Sequence, residues 1–258
     1  MDVKIFELEN GLRVIYKHVP YTWTVHCGFI INSGSRDDIE GEMGMAHFIE
    51  HMIFKGTAKR KTFHILNYLE SVGGDVNAYT TKEKTCLYAS LVSDYFERAT
   101  ELLTDITFNS TFPEKEIVKE KQVISEEIDM YRNTPDEAIF EDFDEMIYPN
   151  HSLGYPILGT KNSIHQFTKP KVKAHLNRSF LKDRVVYSIV GNVSEKEVKK
   201  VIDKYLKNVH LPSGELNRYS PQTHMSPDHV EDIASDQAHV LMGGRSYAMR
   251  KDLYVPFL

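Results

Sequence analysis

Two imidazoles and a carboxylate stand within five consecutive residues, His47-Phe48-Ile49-Glu50-His51. On a helix, residues four apart share a face, so His47 and His51 can grip one metal ion with Glu50 beside them. Two neutral nitrogen ligands and a base next to an activated water are what a metal-assisted hydrolase needs. The order H-x-x-E-H inverts the commoner H-E-x-x-H. Helical phase supports the reading. At about 100° per residue, Met45, Phe48, Ile49, Met52 and Ile53 fall on one side, and His47, Glu50 and His51 on the other. Such a helix buries its apolar side and turns the His/Glu side to a cleft. The plainer alternative is a surface helix with two solvated histidines. The other histidines show no comparable spacing.

A catalytic zinc usually takes three protein ligands. The best source of a third is the helix expected over Pro113–Asn133, which holds Glu120, Glu126, Glu127 and Asp129. Ile117, Ile124, Ile128 and Tyr131 set its apolar side. Glu120 and Glu127, seven residues apart, lie one above the other at the edge of that side. Glu126 falls opposite, with the solvated residues. A carboxylate beside a buried face is costly unless paired or metal-bound. Periodicity therefore selects Glu127, with Glu120 as its neighbour. The competing reading has both merely flanking the core and bonding to Lys or solvent.

These side chains need a scaffold. Val3–Glu9 and Leu12–Val19 read as strands around Asn10-Gly11, a type I′ hairpin signal. Thr22–Asn32 is a long strand, and Ser33–Gly41 a loop into the metal helix. Thr62–Ser71 is helical and ends at Gly73-Gly74. Asp75–Tyr79 and Thr85–Val92 pair as a hairpin. Helices follow at Ser93–Phe108, Pro113–Asn133, Pro135–Ile147 and Pro170–Phe180. Arg184–Asn192 is a core strand, and Ser194 caps a helix over Ser194–Asn208. The Pro135–Ile147 helix carries Asp136, Glu137, Glu141, Asp142, Asp144 and Glu145. It reads as the solvated face of an amphipathic helix with Ile139, Phe140, Phe143 and Ile147 inward, rather than as a trap for basic peptides. The mixture predicts an α+β fold, a mixed or antiparallel sheet with helices mainly on one face. After residues 1–210, residues 211–228 read as a Pro/Ser/Gly-rich linker, and strand-like runs follow at His229–Ile233 and His239–Gly243.

Composition sets bounds. The 258 residues are 41% hydrophobic and 26% charged, ordinary for a soluble globular chain. A net charge of −6 gives no support for nucleic-acid binding and is compatible with basic peptides. No apolar run reaches membrane-spanning length. Met1-Asp2-Val3-Lys4-Ile5-Phe6 is no secretion signal, so a cytoplasmic location is expected. Cys27 and Cys86 lie in strand-like runs and read as buried free thiols.

At these residues the chain resembles the pitrilysin/insulinase family of zinc peptidases, most closely its mitochondrial-processing-peptidase-like bacterial members. The resemblance implies Zn2+ held by His47, His51 and Glu127, with Glu50 as catalytic base. It implies that Glu120 orients a ligand or shares the base role. Gly73-Gly74-Asp75-Val76-Asn77-Ala78-Tyr79-Thr80 is similar to the family's substrate-side edge strand. Asn77, Ala78 and Tyr79 are then expected to contact an extended peptide; the alternative is a plain turn and an ordinary edge. Tyr148-Pro149, Leu153-Gly154-Tyr155-Pro156 and Leu158-Gly159 resemble the loop after the ligand helix. Val185–Val193, with Gly191-Asn192, resembles the last strand of the first domain. The family continues into a second domain of the same fold, which completes the substrate site and of which this sequence holds only the start. The implied activity is endopeptidase or oligopeptidase hydrolysis of peptides or unfolded polypeptides. The implied partner is a second homologous domain or chain, a homodimer being one arrangement. Two alternatives compete. One is a non-catalytic subunit or inactive portion of such a peptidase. The other is S-ribosylhomocysteine lyase, which uses H-x-x-E-H with a Cys as third ligand; that enzyme is much shorter, and Cys86 has no supporting motif.

Overall fold

Six strands and eight α-helices follow one another in the computed structural model, which describes residues 3–222, 229–232 and 237–246. They are β1 (Val3–Glu7), β2 (Arg13–His18), β3 (Thr24–Ile31), α1 (Met45–Met52), α2 (Thr62–Glu70), β4 (Asp75–Thr80), β5 (Thr85–Val92), α3 (Phe96–Phe108), α4 (Glu114–Arg132), α5 (Pro135–Ile147), α6 (Lys161–His165), α7 (Lys169–Ser179), β6 (Val185–Gly191) and α8 (Glu195–Tyr205). The strands form one sheet in the order β1-β2-β6-β3-β5-β4. All pairs are antiparallel except β2–β6, so the expected mixed sheet is present. No helix among the described residues is long and apolar enough to cross a membrane.

Alternation decides which face is covered. In β3, Val25, Cys27, Phe29 and Ile31 point inward and are buried, while Thr24, His26 and Ile30 point out. Phe29 registers with Leu87 of β5 and Tyr187 of β6, both fully or almost fully buried. Helix α3 lies over β3 and β5 and buries Phe96, Ala99, Leu102, Leu103 and Ile106. Each large apolar side chain so placed contributes about 1.5–3 kcal/mol. Thr100 Oγ1 meets Tyr187 OH at 2.8 Å and satisfies the buried polar group there.

Three expectations are corrected. The first hairpin has no type I′ turn: Gly11 has φ 83°, but Asn10 stays at negative φ. Gly11 N–H donates to Leu8 O and Leu8 N–H to Leu12 O, a three-residue loop with Gly11 as its left-handed residue. Asn10 is occupied elsewhere, its amide donating to the Leu206 and Val209 carbonyls at the end of α8. Helix α5 has no fully buried residue, and Phe140 is exposed, so its apolar side rests only partly on the body. Residues 161–165, outside the expected helices, form α6, which Thr160 caps by accepting from Ser163 N–H. The strand-like run His239–Gly243 and residues 229–232 have no ladder partners among the described residues. Val230, Val240 and Met242 there are almost wholly exposed, so no element among the described residues pairs with or covers them. Ile233 of the first run lies outside the described residues.

Candidate metal centre

Helix α1 begins where the chain cannot carry a side chain. Gly44 has φ 89°, and a Cβ there would lie 2.4 Å from Leu158 O. Gly159 faces it with φ 76°, and its own Cβ would meet Met43 O at 2.2 Å. Two glycines thus let the start of α1 and the loop after α5 touch backbone to backbone. Asp38 completes the start. Its buried carboxylate accepts from the N–H groups of Gly44 (2.9 Å), Met45 (3.0 Å) and Ala46 (3.1 Å), amides that have no partner within the helix. Met45, Phe48, Ile49, Met52 and Ile53 are buried, as phase predicts.

The opposite side of α1 faces α4 and β4. His47 Nε2 lies 3.9 Å from Glu127 Oε1, and His51 Nε2 lies 3.6 Å from Glu127 Oε2. The three side chains offer ligand atoms all within 4.8 Å of one another. A tetrahedral zinc with bonds of about 2.0–2.1 Å places its ligand atoms about 3.3 Å apart, so the two histidine–Glu127 separations need close by about 0.3–0.6 Å and the widest pair by up to about 1.5 Å. Two imidazoles and one carboxylate are a donor set that suits zinc. A buried Glu50 Oε2 without a hydrogen-bond partner next to these atoms is a further sign that a group belongs there.

The electrostatics suit a cation. Burial, helped by the neighbouring His51, pushes the His47 pKa down to about 3, so this imidazole is neutral and free to ligate. Burial would also lower His51, but the Glu120 hydrogen bond and the Glu127 and Glu50 charges outweigh it and raise that group. Burial raises the Glu50 carboxyl, opposed by the Thr80 side chain and His51. Glu120 is buried, which alone would raise it, yet hydrogen bonds from His51 and Lys55 hold it below the ordinary carboxylate range. Its Oε1 meets His51 Nδ1 at 2.8 Å, and its Oε2 meets Lys55 Nζ at 2.7 Å. A proton on Nδ1 leaves Nε2 pointing at Glu127 with its lone pair free.

The structure thus gathers His47, His51, Glu127, Glu50 and Glu120, while Glu126 is exposed and bonds to Gln122. Asn77, Ala78 and Tyr79 lie on β4, the last strand of the sheet order. Asn77 and Tyr79 face outward, Ala78 is half-buried, and Ala78 N–H donates to Asn77 Oδ1 at 2.8 Å. Cys27 and Cys86 are free and buried, and neither joins the converging group. Sequence reading missed Asp38, Lys55 and Thr80. Lys55 carried a signal, since it follows His51 by one helical turn; nothing in the pattern marked the other two.

Known proteins resemble this chain. Residues 13–161 match the model of the insulinase family, "Insulinase (Peptidase family M16)", and residues 166–257 that of the "Peptidase M16 inactive domain". The chain is 35% identical over 241 residues to a Bacillus subtilis protein named "Uncharacterized zinc protease YmxG", covering 93% of this chain and 58% of that one. It is 33% identical over 218 residues to the mitochondrial-processing peptidase subunit beta of Blastocladiella emersonii, covering 84% and 47%. The chain therefore spans about half to three fifths of the length of such relatives. Its fold matches a crystal structure of a peptidase M16 inactive domain from Pseudomonas fluorescens with a TM-score of 0.78 at 19% identity, over 86% of this chain and 54% of that one. A protease from Helicobacter pylori matches with the same TM-score at 22% identity, over 86% and 53%. With more than half of its residues inside the first family model, the chain belongs to the insulinase family of peptidases, M16.

Proposed function

We propose that this chain carries the zinc-binding part of an endopeptidase or oligopeptidase that hydrolyses peptides or unfolded polypeptides. The observation that carries the proposal is the convergence of His47, His51 and Glu127 to within 4.8 Å of one another, with the orphaned Oε2 of Glu50 beside them. His47 and His51 would hold zinc through Nε2 and Glu127 through its carboxylate. Zinc held there supplies Lewis acidity and makes water a nucleophile near neutral pH. Glu50 takes the proton of the attacking water and hands a proton to the leaving amine. Glu120 acts one step back, fixing the His51 tautomer, and Lys55 fixes Glu120. The open edge of β4 receives an extended peptide by strand addition, with Asn77 and Tyr79 outward. An incoming strand has to displace Asn77 Oδ1 from the Ala78 amide.

The domain division 1–210, 211–228 and 229–258 is part of the same proposal. A second homologous domain or partner chain closes the substrate site over the metal. A non-catalytic role is the second reading, and the intact set of ligands and base argues against it. Metal analysis after purification without added zinc tests the site: wild type should hold about one zinc per chain. Glu127→Gln should lose most of it, whereas Glu50→Gln should keep the metal and remove peptide hydrolysis. Metal content that ignores Glu127→Gln sinks the ligand assignment.

A further inference from the structure

Arg218 lies in the segment that follows α8, in a run of residues without regular structure. It is nevertheless fastened to the body more tightly than a tether requires. Its Nε donates to Asp37 Oδ1 at 2.8 Å and its Nη2 to Asp37 Oδ2 at 2.6 Å, a two-pronged pair. Nη1 donates to Asn32 Oδ1 at 3.0 Å, and Nη2 also reaches the carbonyls of Asn32 and Glu83. The Asp37 side chain is 1% exposed and that of Arg218 only 19%. Neighbouring contacts run the same way. Lys182 N–H donates to Pro212 O, Arg184 to Leu216 O, and Arg36 and His151 both reach Tyr219 O. Residues 211–219 are a strap laid on the body.

What the strap grips matters more than how firmly. Asp37 directly precedes Asp38, the carboxylate that holds the first three amides of α1. Asp37 Oδ2 also accepts from Gly34 N–H. The segment holding both aspartates is pinned to the β4–β5 turn, since Ser35 and Arg36 donate to the Thr81 and Lys82 carbonyls. Gly34 allows this approach, as a Cβ there would lie 2.2 Å from Thr81 O. Through Asp37 and the Glu83 carbonyl, the Arg218 guanidinium therefore touches both routes into the site. One leads to the helix with His47, Glu50 and His51, the other to the edge strand with Asn77 and Tyr79.

We propose that Arg218 is a positioning residue that couples the segment after α8 to the metal helix, so that the seating of this strap sets the placement of His47 and His51 against β4. The proposal rests on the reading of the site as a zinc centre only for its functional consequence; the coupling itself does not require a metal. Removing Arg218 alone strands a buried Asp37 charge and endangers the fold. The decisive variant is therefore Arg218→Met with Asp37→Asn, which removes both charges and leaves an oxygen for Gly34 N–H.

The test is amide hydrogen exchange on the whole chain without metal, with zinc affinity by chelator competition beside it. In the double variant, the amides of Gly44, Met45 and Ala46 should exchange about tenfold faster, as well as those of the strap. Zinc should bind about tenfold more weakly, and Arg218→Lys should recover part of both effects. Faster exchange confined to residues 211–222, with Gly44–Ala46 unchanged, overturns the coupling. Unchanged zinc affinity alongside faster exchange at Gly44–Ala46 overturns the positioning role. If neither wild type nor Glu127→Gln binds zinc, the zinc reading falls and the positioning role with it, while exchange at Gly44–Ala46 still decides the coupling.

Discussion

At the scale of single residues, the centre depends on charges held in order behind the ligands. Glu120 is anchored on both oxygens, by His51 on one side and Lys55 on the other. Glu120→Gln keeps the shape but loses the anion that holds His51 Nδ1–H. Lys55→Met leaves Glu120 buried without its ammonium partner. Each change should weaken zinc binding by about 10–100-fold, the usual cost of disturbing a partner of a metal-ligating histidine. Chelator titration read against wild type measures it, and an unchanged affinity in both variants removes these residues from the metal's support. The residues that converge were legible in the sequence because helical phase is a local property: His47 and His51 share a face, and Glu127 sits at the edge of another. Asp38 and Thr80 were not legible. Their roles come from tertiary approach, and no periodicity reports which loop aspartate will meet a helix start.

At the scale of elements, the start of α1 is the most constrained place in the site. Gly44 needs positive φ and has a carbonyl oxygen 2.4 Å from where a Cβ would stand. Gly44→Ala therefore combines backbone strain of about 1–2 kcal/mol with a steric clash that moves α1 away from Leu158. The variant should lose stability by at least about 1 kcal/mol in urea melts and lower zinc affinity at the same time. A stability loss with native zinc affinity would show that α1 tolerates displacement. Long periodic elements were read well from sequence, and the bounds of β5 and α5 match the reading. What failed was burial and turn geometry. Phe140 has the right phase for a core face, but no element among the described residues packs fully onto it. Asn10-Gly11 has the right residues for one turn, yet the Asn10 side chain bonds to the end of α8 and a different turn results.

At the scale of the whole molecule, acid stability reports on how the helices are locked behind the site. His175 of α7 is buried, and Arg178 lies 3.1 Å from its Nδ1, where only a neutral ring can accept. Asp38 Oδ1 is 3.6 Å away, but it is already engaged by the α1 amides. Burial, with the Arg178 charge, pushes the His175 pKa down to about 3. The sign follows directly. Between its ordinary value near 6.5 and about 3, the unfolded chain binds this proton and the folded chain does not, so stability falls as pH falls through that window. The slope from this one group reaches about 1.4 kcal/mol per pH unit. His175→Gln should flatten the acid limb of stability between pH 6 and 4 by about one proton, as measured by denaturant melts across that range. An unaltered slope would mean that His175 is protonated in the folded state.

The place of β6 carries a consequence for the order in which the protein is made. β2 and β3 are consecutive in the chain but do not pair, because β6, residues Val185–Gly191, lies between them. Synthesis delivers His47, His51 and Glu127 some sixty residues before the strand that joins the two halves of the sheet. Until that strand arrives, β1 and β2 have no sheet to lean on and β3 lacks one neighbour. Domains fold as units during synthesis, and contacts distant in sequence close late. A growing chain therefore carries these three side chains for some time before it has a finished frame to hold them. The cluster of His47, His51 and Glu127 reaches its final form only after the central strand is laid in.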